Sequence, residues 1–284
     1  MEEKLRILKL LEEGKINAEE AARLLEALSH WPGWEHRPHF IPEGVIPDPE
    51  KIFETVSSAV ASVLGKRKAA KELKFTGKKE LQLKTIQGDI SVTGHEGLEI
   101  IIRSQGKWLE EVSEQDDRVV VKNVSGDIEV TAPKEIGLRL AAVSGDISIN
   151  NCQGETEISA VSGDINIENC RGTVRIKTVS GDVKSKNLCA QLEGETKTGN
   201  IDLDFSEIAQ ADLKTEMGDV EIRIPQDSSL KVELVAEAGD ILCDLPLTKE
   251  ERKLGYVSGT LGDGKGHLRV KTAEGDIKIS KKEG

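Results

Sequence analysis

The stretch AAVSGDISINNCQGETEISAVSGDINIENCRGTVRIKTVSGDVKSKN, residues 141–187, decides the fold. It contains the same phrase three times, with Gly145, Gly163 and Gly181 spaced 18 residues apart, each followed by Asp and then Ile or Val. Working outward, Gly126 stands 19 residues before Gly145, and Gly199 and Gly218 follow Gly181 at steps of 18 and 19. Further copies stand at Gly88, Gly239 and Gly275. Self-similarity at a fixed short period marks a repeat architecture. The two long gaps, 38 residues before Gly126 and 36 before Gly275, are close to two periods, so degenerate copies are expected at Gly106 and Gly259.

Within a repeat, apolar residues alternate on both sides of the glycine. Leu138, Leu140 and Ala142 precede Gly145, and Ile147 and Ile149 follow it. Period two means a strand with one buried face. Each repeat therefore reads as strand, tight Ser-Gly-Asp turn, strand and short corner. Eighteen residues are too few for a four-stranded propeller blade of about 40. The expected fold is an all-β parallel β-solenoid of roughly ten or eleven coils, two strands each, with equivalent residues stacked about 4.8 Å apart. Ala142, Ala160, Thr178, Thr196, Thr215 and Ala236 would form a column of small residues at a tight corner.

Stacking generates further columns. Asp127, Asp146, Asp164 and Asp182 continue a carboxylate row that includes Asp89, Asp219, Asp240 and Asp276, with Asn200 as its one amide. Such a row could hold hard cations. The plainer expectation is Asp bonding local backbone N–H groups beside a glycine of positive φ. Asn151, Asn169 and Asn187, again 18 apart, suggest a second corner in left-handed conformation. Cys152 and Cys170 follow the first two, with Cys189 displaced by one. With no Cys-x-x-Cys pair, the favoured role is a small buried hydrophobe in a reducing compartment.

The chain ahead of the repeats divides into three. Residues 1–28 read as a helical hairpin, turning at Gly14, whose apolar face includes Leu24, Leu25 and Leu28. It is too short to bury that face alone and should dock on a partner, a second copy or the solenoid. Residues 29–48 form a linker whose Trp31 and Trp34 would press onto the solenoid or a partner; its His30, His36 and His39 are three of the four ligands that a closed zinc site needs. Residues 49–72 begin with an Asp48 cap and Pro49 and place Ile52, Phe53, Val56, Val60, Val63 and Leu64 on one face. A basic stretch containing Lys66, Arg67, Lys68 and Lys71 follows. This amphipathic helix would cap an open end of the solenoid, with an anionic membrane surface as the alternative. The solenoid occupies 73–284.

Composition narrows the function. The chain has 284 residues, 37% hydrophobic but only 3% aromatic, and a net charge of -12. The acidic balance argues against nucleic acid as a partner. No run of 18 apolar residues occurs, and MEEKLRILKL shows no secretory signal. A cytoplasmic protein is expected, with membrane or envelope association as the variant. No Gly-x-Ser-x-Gly, His-Glu-x-x-His or phosphate-loop motif is present, so no catalytic residue and no cofactor is assigned.

Two sequence features resemble a known family. EEKLRILKLLEEGKINAEEAARLLEAL, residues 2–28, resembles the short helical (SHOCT-like) domain that opens bacterial YvlB- and LiaX-like proteins. VSGDI at 124–128, 143–147 and 161–165, with VSGDV at 179–183, resembles the candidate adhesin domain of unknown function in the same proteins. The resemblance implies a β-solenoid, a bacterial source and, for some relatives, a link to envelope stress signalling. The helical part and the solenoid would then be separable interaction modules.

The favoured function is a non-enzymatic scaffold that binds a protein partner or itself, in envelope stress signalling or in surface adhesion. Val124, Val143, Val161 and Val179, two residues before their glycines, would supply an exposed apolar ridge for docking. The alternatives are a peripheral sensor using 49–84 on a membrane, and a polysaccharide-acting enzyme. The latter would need paired carboxylates in an irregular segment, of which 93–118 and 244–267 are the candidates.

Overall fold

In the computed structural model, the structure describes residues 72–104 and 111–282. The helical hairpin, the linker and the amphipathic stretch therefore lie outside the described residues, as does Gly106. The first third of the described chain holds β1 (Glu72–Thr76), β2 (Glu80–Gln87), β3 (Ile90–His95), β4 (Glu99–Ser104), β5 (Glu111–Glu114), β6 (Arg118–Ser125) and β7 (Ile128–Pro133). The middle holds β8 (Gly137–Ser144), β9 (Ile147–Asn150), β10 (Glu155–Ser162), β11 (Ile165–Glu168), β12 (Arg171–Ser180), β13 (Val183–Thr198), β14 (Ile201–Met217) and β15 (Val220–Ile224). The last part holds β16 (Leu230–Ala238), β17 (Ile241–Cys243), β18 (Thr248–Lys253), β19 (Tyr256–Leu261), β20 (Gly266–Glu274) and β21 (Ile277–Lys281).

The repeats stack in phase. Ile165 pairs in parallel with Ile147 on one side and with Val183 on the other. Ile158 likewise pairs with Leu140 and Ile176. The inward members of these columns, such as Ile147, Ile165 and Leu140, are fully buried and belong to one continuous aliphatic core. Burying each contributes about 1.5–3 kcal/mol, which is how a chain this poor in aromatics sustains a long core. At the corner opposite the glycine, β13 and β14 run on without interruption and absorb the bend through bulges near Ser185 and Leu188.

Coil number and order depart from the simple expectation. Among the described residues nine glycine turns stack, at Gly126, Gly88, Gly145, Gly163, Gly181, Gly199, Gly218, Gly275 and Gly239 in spatial order. β2 lies between β6 and β8, so the coil at Gly88 is inserted between those at Gly126 and Gly145. At the other end β20 lies between β14 and β16, which pushes the coil at Gly239 outermost. The long gaps are not further coils. Gly259 sits inside β19, which runs antiparallel to β16, and β18 pairs antiparallel with β19. At the first end β5 runs antiparallel to β6, β4 to β7, and β1 to β4. An exposed strand edge invites pairing with another chain, and these antiparallel strands satisfy the edges on which they lie.

Candidate functional site

The most ordered chemistry is at the glycine corner. Gly145, Gly163 and Gly181 have φ of 132°, 131° and 127°, a region that side chains avoid. A Cβ on Gly163 would fall 2.1 Å from the carbonyl oxygen of Gly145. The column is glycine because two backbones meet there.

The carboxylate row is a hydrogen-bond ladder between coils. The Asp89 N–H donates to Asp127 Oδ1 at 3.0 Å, Asp146 N–H to Asp89 at 2.8 Å, Asp164 N–H to Asp146 at 2.8 Å, and Asp182 N–H to Asp164 at 2.9 Å. It continues through Asn200 and Asp219 to Asp276 and Asp240 at 2.8–2.9 Å. Asn200 keeps the rung because its Oδ1 accepts as a carboxylate oxygen does. The expected local turn bond is thus replaced by a bond to the next coil. Among the described residues no three His, Cys, Asp or Glu converge where a metal ion could sit. His30, His36 and His39 lie outside the described residues.

At the opposite corner Asn151, Asn169 and Asn187 have φ of 61°, 53° and 54°. The Asn187 amide donates to Asn169 Oδ1 at 2.9 Å, whereas Asn151 donates to the Gly94 carbonyl, so the asparagine stack is only partly self-bonded. Cys152 and Cys170 are buried within the aliphatic core. Their column passes on to Leu188, which pairs with Phe205, so later coils fill the same place with larger hydrophobes. Cys152 Sγ donates to the Asn150 carbonyl and Cys170 Sγ to the Glu168 carbonyl, and the neighbouring Cys170 thiol, together with burial, holds the Cys152 thiol above the ordinary thiol range. Cys189 stands apart, with its Sγ 3.2 Å from Glu207.

The ridge differs from expectation. Val143 and Val161 are on the outer face of their strands but are only 6% exposed, and Val179 is half-buried. Val124 lies in β6, beside β2, and extends the series by position alone. Alternation fixes the side of the sheet on which a residue lies, not whether something covers it. As an open docking strip, the ridge is therefore not available in this conformation. Leu24, Leu25, Leu28, Trp31 and Trp34 lie outside the described residues.

A feature missed in the sequence is the charged outer column Arg139, Glu157, Arg175 and Glu193, paired in register across four strands. Arg139 is 3.4 Å from Glu157 and 3.1 Å from Glu80, and Arg175 pairs with Glu155 and, at 3.7 Å, with Glu193. Burial pushes the Glu157 carboxyl up, against the pull of Arg139 and Arg175. The signal was alternating charge at 18-residue steps. The candidate loops for a substrate groove, 93–118 and 244–267, instead contribute the antiparallel strands β4, β5, β18 and β19.

Comparison with known proteins follows this geometry. Residues 111–280, more than half of the chain, match the family model described as Toastrack DUF4097. Residues 2–30 match a SHOCT-like domain. No curated protein matches the chain. A candidate cell adhesion protein from Clostridium sporogenes ATCC 15579 is similar at 12% identity, covering 76% of this chain and 100% of its own, with a TM-score of 0.36. A candidate adhesin from Parabacteroides merdae ATCC 43184 is similar at 14% identity, covering 77% and 97%, with a TM-score of 0.28.

Proposed function

This chain belongs to the Toastrack DUF4097 family, and we propose that it acts as a non-enzymatic interaction scaffold. The solenoid is the frame, and the SHOCT-like hairpin, with Leu24, Leu25 and Leu28, is the element offered to a protein partner or a second copy. The observation that carries this reading is the carboxylate ladder. The one acid repeated in almost every coil accepts a backbone N–H from its neighbour and so holds the frame together. Repeat frames of this kind suit extended contact surfaces. The closer affiliation with YvlB- and LiaX-like proteins, and a role in envelope stress signalling, are part of the same proposal.

The test is the mass of the full chain by light scattering over a range of concentrations, alone and with crosslinked partners from its own cell. Leu24→Asp with Leu25→Asp should abolish association and leave the strand signal in circular dichroism unchanged. Association that survives both substitutions contradicts the reading.

A further inference from the structure

Among the described residues, Ile86, Val143 and Val161 are the buried hydrophobics that do not belong to the aliphatic core. They are 5%, 6% and 6% exposed, on three neighbouring strands, β2, β8 and β10. Their inward neighbours Thr85, Ala142 and Ala160 are themselves buried, so these three side chains point to the other face. An outer column one apolar residue wide reaches that burial only beneath a cover. Lys84, Gln87, Lys122 and Ser162, on the same strands or the adjoining β6, are each engaged in a polar or electrostatic interaction.

We propose that the cover is this chain's own residues 49–64, docked as a strap along the ridge of Ile86, Val143, Val161 and Val179. Chain geometry points to that occupant. Glu72, the first described residue, pairs with Arg103, and Arg103 pairs with Glu129, two residues beyond the Asp127 turn. The preceding segment therefore ends at the glycine corner that the ridge borders. Leu64 is joined to Glu72 by seven residues, enough to span about 24 Å. β1 is three strands from β3, or about 14 Å.

Length and charge agree. From position 124 to Val179 the ridge crosses five adjacent strands, about 19 Å. As a helix, the apolar face from Ile52 to Leu64 would be about 18 Å long. Beyond Val179 the column changes to Lys197 and Glu216, where an apolar strap has nothing to cover. The basic run Lys66, Arg67, Lys68 and Lys71 would pass the corner where Asp127, Asp89 and Asp146 are exposed. Ridge and strap are thus each other's partner, and any other ligand of either must displace it. This inference does not depend on the scaffold reading.

The test is thiol labelling of the full chain, followed peptide by peptide in a mass spectrometer. Val143→Cys should label at least about tenfold more slowly than Leu254→Cys, whose position is fully exposed. Adding Phe53→Asp and Val60→Asp, both ahead of the repeats in sequence, should bring Val143→Cys to within about twofold of that reference. Val161→Cys serves as a second reporter should Val143→Cys perturb its own site. Labelling of both reporters at the Leu254→Cys rate in the parent overturns the proposal. Protection that survives the two Asp substitutions also overturns it, as does protection that grows with protein concentration, which would assign the cover to a second copy.

Discussion

The middle of the solenoid and its two ends are built from the same repeat but assembled differently. From Gly145 to Gly218 each coil lies against the next one in sequence. At the ends the order inverts, with Gly126 outside Gly88 and Gly239 outside Gly275. The lesson is that the repeat specifies how a coil meets a neighbour, not which neighbour it meets. The Gly-Asp corner offers the same donors and acceptors to any copy, so the longer connections decide the order. The ends then differ physically, because they carry antiparallel strands where the middle carries only parallel ones.

The sharpest contrast should be at glycine. Gly163→Ala, in the middle, forces a Cβ onto the Gly145 carbonyl and should cost on the order of 3 kcal/mol or more. Gly77→Ala, near the first end, has φ of 72° but nothing within 4 Å of the new carbon, and should cost about 1 kcal/mol. Urea unfolding of both variants measures the difference, and equal losses would break the distinction. Core truncation comes next. Ile165→Ala, fully buried between two coils, should lose about 2–5 kcal/mol, whereas Leu242→Ala on the outermost coil, 61% exposed, should change stability by about 0.5 kcal/mol or less.

The ladder gives a smaller effect. Asp164→Ala removes the acceptor of the Asp182 N–H and should cost about 1–2 kcal/mol. Asp164→Asn keeps an Oδ1 acceptor, as Asn200 does naturally, and should remain within about 0.5 kcal/mol. If both variants lose equally, the ladder is not the source of the effect.

Titration gives the smallest contrast, of opposite sign in the two regions. Burial raises the Glu157 carboxyl pKa from 4.5, so the folded protein binds that proton more readily than the unfolded chain. Its contribution is therefore unfavourable near neutrality and is relieved as pH falls through the raised value. Glu221, next to the inserted end coil, is lowered by its hydrogen bond to Lys278, so its contribution is present near neutrality and is lost as pH falls through the lowered value. Both groups are partly solvated, so Glu157→Gln and Glu221→Gln should each shift urea-measured stability by about 0.5 kcal/mol or less, upward and downward respectively at neutral pH.

Much of this was legible before the structure. Alternation around each glycine gave the core columns, and the 18-residue step placed Ile147, Ile165 and Val183 side by side. The asparagine positions gave the left-handed corner, and Cys152 and Cys170 gave buried core, whereas Cys189, displaced by one, is only half-buried and faces Glu207. The end order was not legible, because gaps of 38 and 36 residues look like two periods, and an antiparallel strand such as β19 alternates as a parallel one does. The ridge was misread as open because alternation reports a face and not its cover. The ladder was visible as a row of Asp, but its bond to the next coil depends on a register that only stacked backbones define.

The inserted coil offers the most direct test of in-phase stacking. Ser91 pairs with Ser148 across β3 and β9, while Glu129, in β7, is on the far side of β3. Ser91→Cys with Ser148→Cys should therefore form a disulfide under mild oxidation, detected in the peptide mass spectrum. Glu129→Cys with Ser148→Cys, two strands or about 9.6 Å apart, exceeds disulfide reach and should remain reduced. A disulfide in the second pair and none in the first would mean that the coils follow sequence order, contradicting the account.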